Sequence, residues 1–230
     1  MRSISTDYLE RAAVTAKPGG ETPVRFTGEL RNGYRPRPST IERSREIREA
    51  AARFIAANGL WRFSMLSLAR HLGCLLPTLC YYYKKREELI ADIVLRHVET
   101  LRMRTGLAMD ETEDRSPGAE LHAFAREFLL VALAEREFHG LMVAYPSMAG
   151  PAEARDYLLR WESLRDIVEY RLTAHAPSLA GKPETARALS RSVLDALSGA
   201  AAWLEPYGVV KPVSYATMVA DSALANAMNA

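Results

Sequence analysis

The stretch from Ile47 to Leu89 constrains the fold more than any other part of this chain. Ile47, Ala50, Ala51, Phe54 and Ile55 recur at helical spacing, so an alanine-rich helix with one apolar face is expected. Asn58-Gly59 ends it with a residue that tolerates positive φ. Ser64 then precedes a second helical pattern, with Leu66, Leu68, Ala69 and Leu72 expected to face inward. Gly73-Cys74 interrupts that pattern, and a third short helix is expected from Leu75 to Tyr82. Two short helices about a glycine turn, behind one longer helix, make a helix-turn-helix.

The remaining sequence reads as helix throughout. Lys84-Lys85 leads into a long helix from Arg86 to about Leu107, with Leu89, Ile90, Ile93, Val94, His97, Val98 and Leu101 along its core stripe. An acidic loop over Asp110–Gly118 precedes a helix that follows Pro117 and carries Leu121, Phe124, Phe128 and Ala132. A break is expected near His139-Gly140, followed by an apolar run, Leu141 to Tyr145, that Pro146 closes. Pro151 opens another long helix to about His175, and Pro177–Pro183 reads as a loop. The last two helices are expected from about Glu184 to Trp203 and from Pro212 to the C-terminus. With no strand pattern and no internal repeat, the fold class is all-α: a three-helix N-terminal head and a C-terminal helical body.

Charge is distributed unevenly. Residues 1–90 carry sixteen Lys and Arg against nine Asp and Glu, whereas the rest carry fourteen against nineteen. A basic front and an acidic rear suggest that the front meets a polyanion. The expected division is a basic arm over 1–38, a helix-turn-helix domain over 39–86 and a regulatory body over 87–230. The arm holds seven basic residues among several Pro and Gly, and it reads first as a solvated tail, with a segment that reaches along DNA as the alternative. Ser39 or Thr40 begins the first helix, and Glu42 completes a capping-box pattern with Ser39. The two cysteines, Cys74 and Cys80, define no disulfide framework. No apolar run approaches membrane-spanning length, and the N-terminus lacks a signal core, so a cytoplasmic protein without a membrane partner is expected.

The helix-turn-helix resembles the DNA-binding domain of the tetracycline-repressor (TetR) family. That family has an alanine-rich first helix ending near Gly, a hydrophobic-Ala pair in the second, a Gly-Val turn, and a segment resembling Pro-Thr-Leu-Tyr-x-Tyr-Phe-x-x-Lys-Glu-x-Leu. This chain has Ala50-Ala51-Ala52, Gly59, Leu68-Ala69, Gly73-Cys74 and the run Pro77-Thr78-Leu79-Cys80-Tyr81-Tyr82-Tyr83-Lys84-Lys85-Arg86-Glu87-Glu88-Leu89. The match covers about fifty residues in spacing as well as residue type; beyond it, only the all-helical architecture and length are similar. The resemblance implies phosphate contacts from Ser64, Tyr82 and Arg86, and base contacts around Leu76, Pro77, Thr78 and Tyr81.

The side-chain chemistry agrees. Thr78 can hydrogen-bond a base edge or touch a thymine methyl, whereas Leu76 and Pro77 make only apolar contacts. Tyr81 and Tyr82 offer hydroxyls to phosphate, and Lys84, Lys85 and Arg86 add positive charge at the start of the long helix. Three positions depart from the family pattern. Leu75 replaces a helix-capping Ser, Cys80 replaces Tyr, and Arg86 replaces Lys. Base readout by hydrogen bonds is therefore expected to be thin, with more weight on phosphates and DNA shape. Cys74 reads as a core thiol; Cys80 reads as a packing residue or, if exposed and acidified, a thiol switch.

For the body, the resemblance implies a small-molecule effector and a homodimer. Met103, Leu107, Phe124, Phe128, Phe138, Met142, Tyr145, Trp161 and Leu164 are candidates to line an apolar ligand pocket, with plain core packing as the alternative for each. Dimerisation is expected through the last two helices, along the stripes Ala186, Leu189, Val193, Ala196, Leu197, Ala200, Leu204 and Ala216, Val219, Ala220, Ala223, Ala227, unless these cover their own core. The histidines are scattered without metal-ligand spacing, although His122 and His139 could supply a polar contact in a pocket. No catalytic residues, metal or cofactor are expected. The reading is a ligand-responsive repressor, not an enzyme, released from a palindromic double-stranded operator by a small, largely apolar ligand. The alternative is a ligand-binding or protein-interaction module with a degenerate helix-turn-helix.

Overall fold

The computed structural model describes residues 40–205 and 208–230, with backbone only for 151–153. The expected basic arm and the Ser39 cap lie outside the described residues. Among the described residues there are nine α-helices and no strand: α1 (Thr40–Asn58), α2 (Met65–His71), α3 (Leu76–Tyr82), α4 (Arg86–Asp110), α5 (Pro117–Ala134), α6 (Arg136–Ala144), α7 (Pro151–His175), α8 (Pro183–Trp203) and α9 (Pro212–Met228). Short 3-10 turns occupy Leu60–Arg62, Tyr145–Ser147 and Pro177–Gly181. The chain is all-α. None of its described helices is long and apolar enough to cross a membrane.

Two compact units divide the chain within α4, between Ile93 and Val94. The head unit is built on α1, whose buried face is Ile47, Ala50, Ala51, Ala52 and Ile55. The small alanines let α2 approach closely, and Phe63, Leu68, Ala69, Leu72 and Leu79 fill the space between the helices. Gly59 (φ 78°) and Gly73 (φ 62°) sit at the two chain reversals, in backbone conformations that side-chain-bearing residues rarely adopt. Leu66, expected to face inward, is 46% exposed. The seven-residue α2 has room for one buried face, and Leu68 and Ala69 occupy it.

The second unit is organised around α5, which packs against α7, α8 and α9. Helix α5 is apolar nearly all round, from Leu121 to Leu133, as a helix enclosed on most sides must be. The break expected at His139-Gly140 falls instead at Glu135 (φ −113°, ψ 43°), and α6 runs through Gly140 without interruption. An exposed helical glycine costs only about 1 kcal/mol, which the flanking turns absorb. Glu135 leaves helical geometry where its carboxylate reaches His97.

The stripes expected to form the dimer face point the other way. Ala186, Val193, Leu197, Ala200 and Leu204 on and just after α8, with Ala216, Val219, Ala220, Ala223 and Ala227 on α9, are buried within the single chain, while Leu189 and Ala196 of the α8 stripe are half-buried. These two helices pack on each other and on α5, so their small-residue faces complete the chain's own core. Their outward faces carry a different set: Trp203, Val213 and Met218 are 55%, 46% and 56% exposed.

Candidate nucleic-acid interface and buried histidine core

In the head, Ser64 caps α2 reciprocally. Its Oγ accepts the Ser67 backbone N–H at 3.0 Å, and Ser67 Oγ accepts the Ser64 N–H at 2.9 Å. After the Gly73 turn, α3 begins with Leu75 at its N-cap, and no side chain caps it. Leu79 is the buried anchor of α3. Pro77 and Thr78 are exposed, Leu76 and Tyr82 are half-buried, and Tyr81 is 77% exposed with its ring edge-on to Tyr82 at 5.2 Å. Helix α3 thus presents a short outward row ending in two phenols.

Lys84 and Lys85 are exposed beyond it, and the Lys84 backbone N–H donates to Glu88 at 2.9 Å, fixing the start of α4. Arg86 is half-buried. Its guanidinium donates to the Phe63 carbonyl at 3.1 Å and lies 3.1 Å from Glu87, so part of its hydrogen-bonding capacity is spent holding the segment before α2. Cys74 and Cys80 are both half-buried and unbonded to each other. Burial pushes the Cys74 thiol up from its ordinary range, while Arg43 pulls the other way.

Sequence reasoning missed what holds the end of α3. Tyr83, where the family pattern has Phe, is buried, and its hydroxyl donates to Asp92 at 2.7 Å. Arg48 on α1 donates to both, at 3.1 Å each. Burial, followed by the hydrogen bond to Asp92, pushes the Tyr83 phenol up to about 12. One polar triad therefore ties α1, the end of α3 and the first turns of α4 within the head.

In the second unit, an aromatic cluster encloses two histidines. His97 Nδ1 lies 2.8 Å from Glu135, and His97 Nε2 lies 3.1 Å from His139 Nδ1. Both histidines are 2% exposed. Phe138 stacks over His97, and Phe128 meets His139 edge-on at 5.9 Å. Phe128 also contacts Phe124 and Trp161, and Trp161 stacks on Tyr157, which meets Tyr145. Burial, reinforced by His97, holds the His139 imidazole down at about 3, while the Ser198 backbone pulls weakly the other way. Burial, helped by Asp195, pushes the Tyr157 phenol up to about 12.

Of the candidate pocket residues, Phe124, Phe128, Met142, Tyr145 and Leu164 are buried, and Phe138 and Trp161 are half-buried. Met103 and Leu107 are 53% and 50% exposed, on the outer side of α4. The Glu135–His139 spacing, one helical turn, was the available signal for the histidine network, but the expected break at Gly140 obscured it. His122 lies apart, beside Asp221 at 3.1 Å. Among the described residues no cluster of His, Cys, Asp or Glu is arranged to hold a metal.

A helix-turn-helix head joined through one continuous long helix to an all-helical body defines a class of regulator-like folds. The fold is that of TetR-family transcriptional regulators. A TetR-family regulator from Bordetella parapertussis superposes with a TM-score of 0.71 at 20% identity, covering 79% of this chain and 93% of that one. PfmR, a TetR-family regulator from Thermus thermophilus, gives 0.67 at 20% identity, over 78% and 97% of the two chains. AibR, solved in complex with isovaleryl coenzyme A and operator DNA, gives 0.65 at 18% identity, over 80% and 97%. No known family model matches the sequence, and no curated protein matches it significantly.

Proposed function

We propose that this chain is a dimeric, DNA-binding transcriptional regulator of the TetR family, acting as a repressor that a small, largely apolar ligand releases from its operator. The outward row of α3 carries the proposal: Pro77, Thr78 and Tyr81 are exposed on a helix anchored from behind by Leu79, and Lys84-Lys85 follows at once. In this reading residues 39–86 form the DNA-binding domain. Thr78 reads a base edge, and Ser64, Tyr81, Tyr82 and the two lysines grip phosphates. Arg86 contributes what its bond to Phe63 leaves over. AibR, which shares the fold, has been captured with both a ligand and operator DNA, and that supports the same pair of partners here.

Residues 87–230 form the regulatory domain in this reading, and the cluster around Phe128 and Trp161 takes the effector. Two copies associate through the outward faces of α8 and α9, where Trp203 and Met218 stand among exposed small residues such as Ala202, Ser214 and Ala225. Ligand and DNA each favour a different arrangement of the dimer, so each weakens the other's binding.

The test is fluorescence anisotropy with a labelled duplex from beside the chain's own gene, titrated over a range of salt. Sequence-selective binding that weakens steeply with salt is expected. Binding that ignores both sequence and salt would leave a ligand-binding or protein-interaction module with a degenerate head. Sedimentation at micromolar concentration checks the dimer, with Met218→Lys expected to shift it toward monomer.

A further inference from the structure

Trp61 stands in the short turn Leu60–Arg62 that joins α1 to α2, and it is 101% exposed. Trp161 and Trp203 both lean on neighbouring rings, whereas Trp61 meets none among the described residues. A lone exposed aliphatic residue needs no explanation, since apolar atoms form much of any protein surface. An indole left wholly in water is a different matter when the backbone beneath it is fixed. Gly59 turns the chain at φ 78°, the Arg62 N–H donates to the Gly59 carbonyl at 3.3 Å, and the Phe63 N–H donates to the Leu60 carbonyl at 3.1 Å. Ser67 Oγ lies 3.2 Å from the Arg62 carbonyl, and Phe63 is sunk in the head core at 1% exposure.

The turn lies against the basic start of α4. Arg86 donates to the Phe63 carbonyl at 3.1 Å, two residues along from Trp61, which brings Lys84, Lys85 and Arg86 beside the turn. Ser64, one residue further, caps α2. Arg62, Lys84 and Lys85 are exposed, and the acids that follow them are engaged: Glu87 pairs with Arg86, and Glu88 takes the Lys84 backbone N–H. The exposed neighbours of Trp61 along the chain, Asn58, Gly59 and Arg62, extend no apolar patch around it for a protein partner to cover. A fixed ring edged by cations suits a polyanion instead. The indole has one N–H donor and no acceptor, so it can bond a phosphate oxygen while its flat face covers the adjoining sugar.

We propose that Trp61 is a DNA contact: its N–H bonds a backbone phosphate and its ring packs on the neighbouring deoxyribose, beside the phosphates gripped by Ser64, Lys84 and Lys85. This rests on the DNA-binding reading above and widens its footprint to the turn between α1 and α2. The contact carries neither charge nor base recognition. Its signature therefore differs from those of the residues already assigned. Thr78 sets sequence preference, the lysines set the salt slope, and Trp61 adds affinity alone.

Anisotropy titrations of the full chain test this, with the duplex from beside its gene and with a duplex of scrambled sequence. Trp61→Ala is expected to weaken both by about tenfold, leaving the ratio between them and the salt slope unchanged. Trp61→Phe, which keeps a ring and loses the N–H, should lose about threefold. Neither variant should melt at a different temperature, because the side chain is fully exposed, so lost binding would not be lost fold. In the unaltered protein, the indole N–H resonance that vanishes in Trp61→Phe should shift when either duplex is added. Unchanged affinity in Trp61→Ala, or an unmoved indole signal, would overturn the proposal and leave the DNA-binding reading standing. So would a dimer lost in sedimentation of Trp61→Ala, which would assign the ring to a second copy. Salt-sensitive binding of neither duplex by the unaltered protein would overturn both readings together.

Discussion

Replacing Tyr83 by Phe removes a single oxygen and leaves the packing around it untouched. Tyr83 is 6% exposed, and its hydroxyl makes two bonds, one donated to Asp92 and one accepted from Arg48. A hydrogen bond to a charged group contributes about 1.5–3 kcal/mol. Two features reduce that here. The Asp92 side chain is 29% exposed, so water replaces the lost donor, and Arg48 remains 3.1 Å from the carboxylate. The net loss is expected to be about 1–2 kcal/mol, or roughly 2–8 °C in melting temperature. Circular dichroism melts of the full chain give the overall figure. Hydrogen exchange at the Leu79 and Tyr83 amides, which donate to Leu75 and Leu79, reports whether the loss falls on α3. A cycle with Asp92→Asn should show coupling of about 1 kcal/mol between the two positions. If Tyr83→Phe melts with the unaltered protein and its α3 amides exchange no faster, the hydroxyl contributes nothing and apolar packing alone holds the head. That result would also mean that a Phe at this position, as in the family pattern, loses nothing.

Leu75→Ser should stabilise the chain slightly. It supplies the cap α3 lacks, worth about 1 kcal/mol, and it forfeits little because Leu75 is 75% exposed; urea denaturation reads the difference. Lys84→Gln with Lys85→Gln should weaken DNA binding uniformly across sequences and lower the salt slope by about 1 for each phosphate no longer gripped, seen in anisotropy at several salt concentrations. Stability should fall as pH rises from 10 toward 12, because the unfolded chain ionises Tyr83 and Tyr157 near the ordinary 10 while the folded chain holds them neutral to about 12. Stability should likewise fall as pH drops from 6.5 toward 3, since His139 takes a proton near 6.5 only when unfolded. His139→Phe should flatten the acid limb and Tyr83→Phe the alkaline one, and chemical denaturation at each pH checks both.

Local signals gave the head almost completely. Ser64, Gly59 and Gly73 are residues whose chemistry dictates caps and positive φ whatever surrounds them, and each does what its type requires. Tertiary choices were less legible. A helix with apolar residues on more than one side does not announce which side is buried, so Leu66 faces solvent where an inward position is expected, and the stripes of α8 and α9 take the second of their two readings, cover for the chain's own core. The same ambiguity put Met103 and Leu107 among pocket candidates, although both stand on the outer side of α4. The histidine network depends on α4 lying beside the α5–α6 break, a pairing across about forty residues of sequence that no periodicity encodes. Tyr83 drew no notice in the sequence, because its partners Arg48 and Asp92 become neighbours only once α1 and α4 pack together.

The three tryptophans are distributed so that each senses a different part of the molecule. Trp61, in the turn between α1 and α2, is fully exposed; Trp161 is half-buried against Phe128 and Tyr157; Trp203 stands 55% exposed at the end of α8, edge-on to Tyr215. Indole emission moves to longer wavelength as water surrounds the ring. With two of the three changed to Phe in turn, the chain therefore carries its own optical probes. Trp61 is the water-exposed reference on the head. Trp161 reports on the aromatic core, and Trp203 on whatever covers the outer face of α8. Occupancy of the core and association between copies could then be followed separately, by colour, in one unlabelled protein.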